Sequence, residues 1–211
     1  MTERNRVLPT GQLTAAAYRG RWMGNRGGPL SSDPDRRQWA SRAWIYCRLE
    51  FNDRARVFRQ PGRRYTELFF VDEAHALAAG HRPCGECQHR RLAAFKAAAG
   101  FSAGAPVRLL DDVLHRQRTG APELQRLQSL PHGTFVLVDG ATCLLWRGTA
   151  YTWSPSGGYV ATDLANVDTT AVRVLTPPLA RAALAAGFPI SCPDLDEGAA
   201  PLPRAGDDGD A

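Results

Sequence analysis

Residues 72–88 read Asp-Glu-Ala-His-Ala-Leu-Ala-Ala-Gly-His-Arg-Pro-Cys-Gly-Glu-Cys-Gln. The stretch opens on Asp72, whose carboxylate suits the N-cap of a short helix over Glu73–Ala79. Gly80 tolerates the left-handed conformation that closes such a helix. Pro83 then stands where helices begin, so a second helix is expected from Cys84 to about Ala99, with Leu92 and Phe95 on its apolar side. This places Cys84 and Cys87 together on a first helical turn. Two thiols at that spacing can share a metal ion or close a disulfide, and a helix N-terminus favours their thiolate forms.

The flanking sequence fills in an α+β layout. Ala43–Phe51 reads as a half-buried strand, Asn52-Asp53 as a turn, Ala55–Arg59 as a return strand and Tyr65–Val71 as a third strand. Residues 1–43 are rich in Arg, Gly, Pro and Ser, with Trp22 and Trp39 as apolar anchors. Within them Met23-Gly24-Asn25-Arg26-Gly27-Gly28-Pro29 has a loop signature. Beyond Gly100, helices are expected over Leu109–Arg118 and Glu123–Leu130. A hairpin follows, with strands Thr134–Val138 and Thr142–Arg147 around the turn Asp139-Gly140. Tyr151–Trp153 and Ala171–Leu175 read as strands, and Pro178–Ala186 as a closing helix. The expected organisation is an arginine-rich segment with a cysteine-bearing module over 1–100. A helix-plus-small-sheet unit over 101–193 follows, in the same globule or apart, and then a disordered acidic tail over 194–211.

Composition narrows the function classes. The chain has 211 residues and 5 cysteines, an odd number and too few for a disulfide scaffold. With no apolar stretch near the ~20 residues that span a bilayer and no secretory leader, a reducing cytoplasm is expected. Lys96 is the sole lysine among 26 basic residues. Residues 1–64 carry 14 arginines against 5 acids, whereas 194–211 carry 6 acids against one arginine. A basic front and an acidic tail point to a polyanion partner, with the planar guanidinium suited to phosphate and guanine edges. A GC-rich coding sequence would produce the same arginine preference.

From Glu73 to Gln88 the chain resembles the second half of the Ada-type zinc-binding domain of DNA alkylation repair. There a short helix, an Ala-Gly-aromatic-Arg-Pro turn and a C-x-x-C supply two of four zinc-binding cysteines. Tyr46-Cys47-Arg48 is similar to the segment holding that family's first cysteine, which accepts a methyl group from DNA phosphotriesters. The resemblance covers about residues 44–98. It implies Zn2+ as cofactor, Cys47, Cys84 and Cys87 as ligands, and DNA as partner. Where the family has a further cysteine four residues after the first, this chain has Phe51. His81, His89 and Cys192 are the candidates for a fourth ligand; His81 also falls where the family has an aromatic residue and could simply fill that pocket. Cys47, beside Arg48, is the one candidate catalytic residue, as a methyl acceptor.

The resulting expectation is a zinc- and nucleic-acid-binding protein of DNA repair or damage response, with Arg48, Arg82, Arg90 and Arg91 meeting phosphates around the metal. Two enzyme readings stand beside it. One is a metal-dependent hydrolase or transferase with an open zinc position and His81 or His115 as base; the other is a thiol-disulfide oxidoreductase using Cys84 and Cys87. A purely interacting protein, binding through its Trp-rich second half, is a further reading. His115 and Arg118, with Asp111 and Asp112, are read as a solvated helix face. Trp146, Trp153 and Tyr159 are read as core aromatics, and Cys143 as a buried inert thiol.

Overall fold

The computed structural model describes residues 3–52, 54, 55, 57, 58, 62 and 64–196. It is an α+β fold built on two six-stranded sheets. The first is mixed, in the order β2 (Leu13–Thr14), β1 (Arg6–Val7), β7 (Leu68–Phe70), β3 (Trp22–Asn25), β4 (Ile45–Cys47) and β8 (Arg82–Pro83). A separate two-residue ribbon pairs β5 (Glu50–Phe51) with β6 (Arg54–Ala55). The expected strand Ala43–Phe51 is therefore two strands broken at Arg48-Leu49. The expected return strand is shortened to Arg54–Ala55, and Arg59 and Pro61 lie outside the described residues.

The loop expected at 23–29 is instead a strand for its first three residues. β3 sits between β7 and β4, with Met23 opposite Phe69 and Cys47, and Gly24 opposite Leu68 and Tyr46. Glycine belongs there because of close approach rather than turning. A Cβ on Gly24 would stand 2.4 Å from the Ile45 carbonyl oxygen and 2.7 Å from the Phe70 ring.

Helix α1 (Glu73–Ala78) follows β7 and is capped as expected: Asp72 accepts the His75 amide, and Gly80 takes φ +76° just beyond the end. The next element departs from expectation. Arg82 and Pro83 form β8, an edge strand parallel to β4, with the amides of Arg82 and Cys84 donated to the carbonyls of Trp44 and Tyr46. Pro83 marks an edge position, where its missing N–H costs nothing, rather than a helix start. Helix α2 begins at His89 and runs to Ala98.

The second sheet is antiparallel, in the order β13 (Gly158–Thr162), β12 (Thr149–Ser154), β11 (Ala141–Trp146), β10 (Phe135–Val138), β14 (Val172–Val174) and β9 (Glu123–Gln125). The expected Asp139-Gly140 hairpin is there, with both residues at positive φ, 47° and 82°. The helix expected over 123–130 is not. Glu123–Gln125 pairs with β14, and only Leu127–Ser129 makes a short 3-10 turn. The open edge of β14 offers those backbone groups a ladder, and that outweighs local propensity.

Helices α3 (Val107–Thr119) and α4 (Pro178–Ala185) knit the two parts together. Leu110 and Leu114 of α3 and Leu179 and Ala183 of α4 share one core with Val7, Tyr46, Phe70, Leu77 and Phe95. A second core joins Ala74 and Ala78 of α1 to Phe135, Leu144, Trp146 and Trp153 of the second sheet. Residues 101–193 thus pack onto the first hundred. The start of the expected tail is also packed: Cys192 is fully buried, Asp194 pairs with Arg21 and Asp196 with Arg147, while 197–211 lie outside the described residues. Among the described residues no helix is long and apolar enough to cross a membrane.

Candidate metal centre

Two segments bring three sulfurs together. Cys47 ends β4, and Cys84 and Cys87 lie in the turn that joins β8 to α2. Because β8 lies parallel beside β4, the C-x-x-C turn emerges next to Cys47. The three Sγ atoms all lie within 4.8 Å of one another, and the three residues are buried to 2–4% exposure. Zinc bound at about 2.3 Å by tetrahedral thiolates holds its sulfurs about 3.8 Å apart, so a small inward movement suffices to grip such an ion.

Backbone amides support the sulfurs. Those of Glu86 and Cys87 point at Cys84 Sγ, the former at 3.4 Å, and that of Arg48 points at Cys87 Sγ. Amide donors to sulfur favour thiolate over thiol, as a soft-cation site requires. Thiol donation from Cys47, then from Cys87, holds Cys84 far below the usual thiol range. Cys47 is pushed far up, first by its hydrogen bond to Cys84, then by that to Cys87 and by burial. Hydrogen bonding within the cluster thus favours the thiolate at Cys84 and the thiol at Cys47. The helix N-terminus expected to supply this effect is displaced, since α2 starts two residues after Cys87 and local amides take its place.

The rest of the wall is apolar. Met23, Ile45, Leu49, Phe51, Phe58, Tyr65 and Phe69 pack against the sulfurs. Phe51, standing where a fourth cysteine is expected, is one of these apolar neighbours. None of the three proposed fourth ligands joins the group. His81 Nε2 accepts the Arg26 Nε–H at 3.3 Å, and its ring lies between Trp44 and Phe70. Burial and then the charges of Arg26 and Arg118 hold its pKa well below the ordinary histidine value, so it stays neutral. It fills the aromatic pocket. Cys192 belongs to another buried cluster, where its thiol meets Asp72 Oδ2 at 3.3 Å. His89 is exposed on α2. Among the described residues, three sulfurs are the complete donor set of the group.

The arginines expected around the metal divide. Arg82 is buried and grips Asp111 through two bonds, at 2.9 and 3.0 Å. Arg91 is tied to Glu73 and to the Pro189 carbonyl. Both guanidinium groups have partners within the fold, Arg82 buried and Arg91 partly exposed. Arg90 is exposed and Arg48 half-buried. The face expected to be solvated on α3 is packed instead: His115 meets Trp39 edge-on, and Arg118 lies over Trp44 while donating to the Gly80 and Arg42 carbonyls. Trp146, Trp153 and Cys143 are buried as expected.

Sequence reasoning missed the buried networks of two adjacent carboxylates, of which Glu73 reaches the strand of Cys47 through Tyr46. Glu73 accepts from the Tyr46 hydroxyl, from Arg91 and from the Ser191 amide. Asp72 accepts from His75, Tyr159 and Cys192. Both stand at the start of α1, where acids are ordinary, so the sequence marked Asp72 as a cap and neither residue as the centre of a buried network. A cleft of about 610 Å³ lies on the second sheet beside Leu130, His132, Leu145 and Leu164, and no cysteine of the cluster lines it. No family model, curated protein or solved structure matches the chain.

Proposed function

We propose that this chain is a zinc-binding protein that contacts nucleic acid, DNA in the first place, in repair or damage response. The observation that carries the metal reading is the convergence of Cys47, Cys84 and Cys87 within 4.8 Å in a buried, amide-supported pocket. Three deprotonated sulfurs favour a soft or borderline divalent ion, and zinc is the commonest that needs no redox partner. Cys47, Cys84 and Cys87 would hold it, tying β4 to the turn before α2; bound there, zinc would supply a cross-link between the two segments and a polarised thiolate. The nucleic-acid reading is supported by the excess of arginine over acids in residues 1–64 and by the resemblance to the Ada-type module.

Elemental analysis of the purified protein tests the metal. One zinc per chain is expected, lost in Cys47→Ser, Cys84→Ser and Cys87→Ser alike. Retention in the Cys47 variant would confine the site to the C-x-x-C turn. A salt titration of binding to duplex and single-stranded DNA tests the partner, and affinity indifferent to salt would refute it.

A second reading follows from the count of donors. Three protein sulfurs leave one zinc position open, as in catalytic centres, and Cys47 stands where the resemblance places a methyl-accepting thiolate. Mass spectrometry after incubation with backbone-methylated DNA separates this from a structural site: a methyl mass on Cys47 supports transfer, and an unmodified chain removes it.

A further inference from the structure

With Arg82 and Arg91 paired to Asp111 and Glu73, a separate exposed basic surface lies on the face made by the loop 36–42 and α3. Arg36, Arg37, Arg42, Arg108 and Arg116 are all exposed. Arg42 bonds Asp112 of α3 at 2.9 Å, yet its side chain remains 63% exposed. Arg108 and Arg116 stand one turn before and one turn after Asp112, on the same side of the helix and about 12 Å apart along it. Among the described residues neither makes an ion pair. Asp112 feels all three: its carboxyl is held below the usual value first by the hydrogen bond from Arg42, then by the charges of Arg42, Arg116 and Arg108.

The centre of this face is aromatic. Trp39 is half-buried, whereas Trp22, Trp44, Trp146 and Trp153 are 2–7% exposed. Its ring is braced edge-on by His115 of α3 at 4.5 Å. The Arg37 guanidinium lies over it at 4.5 Å from the ring centre. The Arg37 guanidinium over the indole makes a pair of planar groups backed by His115 of α3, with exposed arginines on the loop and helix that carry them. Planar guanidinium and indole surfaces both stack on unpaired bases, while the surrounding arginines meet phosphates. A duplex keeps its bases stacked on each other and offers such a pair nothing but its backbone.

We propose that Trp39 and Arg37 form a stacking platform for a base of single-stranded nucleic acid, whose phosphates are held by Arg42, Arg108 and Arg116. The proposal rests on the nucleic-acid reading above and moves its contact surface away from the metal.

The test is binding of a fluorescein-labelled oligo-dT to the 211-residue chain, as purified and after zinc addition, across a salt series, alongside intrinsic tryptophan fluorescence with unlabelled oligo-dT. Quenching is expected on binding and should be absent in Trp39→Phe, because the other tryptophans are buried. The double variant Arg108→Ala/Arg116→Ala should bind at least tenfold more weakly, with the logarithmic salt slope reduced by about 1.4, or 0.7 per lost phosphate contact. Trp39→Ala should weaken binding about tenfold; circular dichroism and zinc content check that each variant is folded, and Arg116→Glu serves as a surface control needing no core change. Wild-type affinity in both Arg108→Ala/Arg116→Ala and Arg116→Glu, with oligo-dT still bound, would place the contact elsewhere and leave the nucleic-acid reading standing. Equal binding of duplex with no change in Trp39 fluorescence would overturn the platform. Binding of anionic phosphatidylserine vesicles but of no oligonucleotide would overturn both.

Discussion

The fully buried Glu73 carboxylate accepts the Tyr46 hydroxyl at 2.9 Å, joining the first residue of α1 to the residue that precedes Cys47. The same carboxylate takes Arg91 of α2 and the Ser191 amide. One acid thus ties together the strand bearing one candidate ligand, the helix that follows the other two, and the C-terminal segment. Removing it leaves Arg91 and Tyr46 without their partner in a dry setting. Glu73→Ala should cost about 3–5 kcal/mol. Urea unfolding checks this; a loss below about 1 kcal/mol would mean the network contributes little.

Asp72 and Glu73, adjacent in sequence, should respond to acid in opposite directions. Burial acts to raise Asp72, but the charge and hydrogen bonds of His75 and the Tyr159 hydroxyl overcome it and hold the carboxyl below 3.8. Its stabilising contribution is present above pH 3.8 and is lost as pH falls through the lower folded value. Glu73 is pushed above 4.5 by burial, against Arg91 and Tyr46, so its contribution grows as pH falls through its raised value toward 4.5. Urea midpoints measured across the acid range should fall less steeply below pH 3.8 in Asp72→Asn than in wild type. In Glu73→Gln the gain on acidification should vanish. Parallel curves for wild type and both variants would show that neither shift exists.

Gly24→Ala tests the close packing of β3 on its neighbours. The new methyl carbon would need the Ile45 carbonyl, at 2.4 Å, and the Phe70 ring, at 2.7 Å, to move apart. Backbone and a buried ring yield poorly, so a loss of about 1–3 kcal/mol is expected. Since β3 lies against the strand of Cys47, zinc affinity should fall with it. A thermal melt and a chelator competition measure the two effects.

Zinc binding should release protons. Cys47 and Cys87 are raised above the ordinary thiol value and Cys84 is lowered below it, so the first two sulfurs hold their protons the more tightly. The ion displaces the remaining protons, so apparent affinity should climb with pH through the neutral range. Titration in weak buffer with a pH indicator measures the release, and an affinity independent of pH would exclude thiolate ligation. Stripping the ion should lower the melting temperature, because the link between β4 and the turn before α2 is then lost.

Several elements could be read from local sequence because one residue's own chemistry settles them. Asp72 caps α1, Gly80 ends it, and Asp139-Gly140 turns a hairpin, each through a preference that acts within four residues. Other expectations failed where a distant strand intervened. Pro83 looked like a helix start until β4 claimed its neighbours' amides, and Glu123–Gln125 looked helical until β14 offered an edge. Arg82 looked like a phosphate contact and proved to be Asp111's buried partner, since charge count carries no direction.

The sequence by itself determined the α+β class, the capped helix before the C-x-x-C pair, and the identity of three sulfurs able to hold an ion. Their convergence was settled by tertiary structure, through the parallel pairing of β4 with β8 that sets Cys47 beside the turn. Tertiary structure also withdrew His81 and Cys192 from the donor set, by giving each a nearer buried partner in Arg26 and Asp72. Hydrogen-bond preferences act over a few residues and can be read along a chain. Which buried polar group meets which depends on packing between segments far apart in sequence, and only the folded chain decides it.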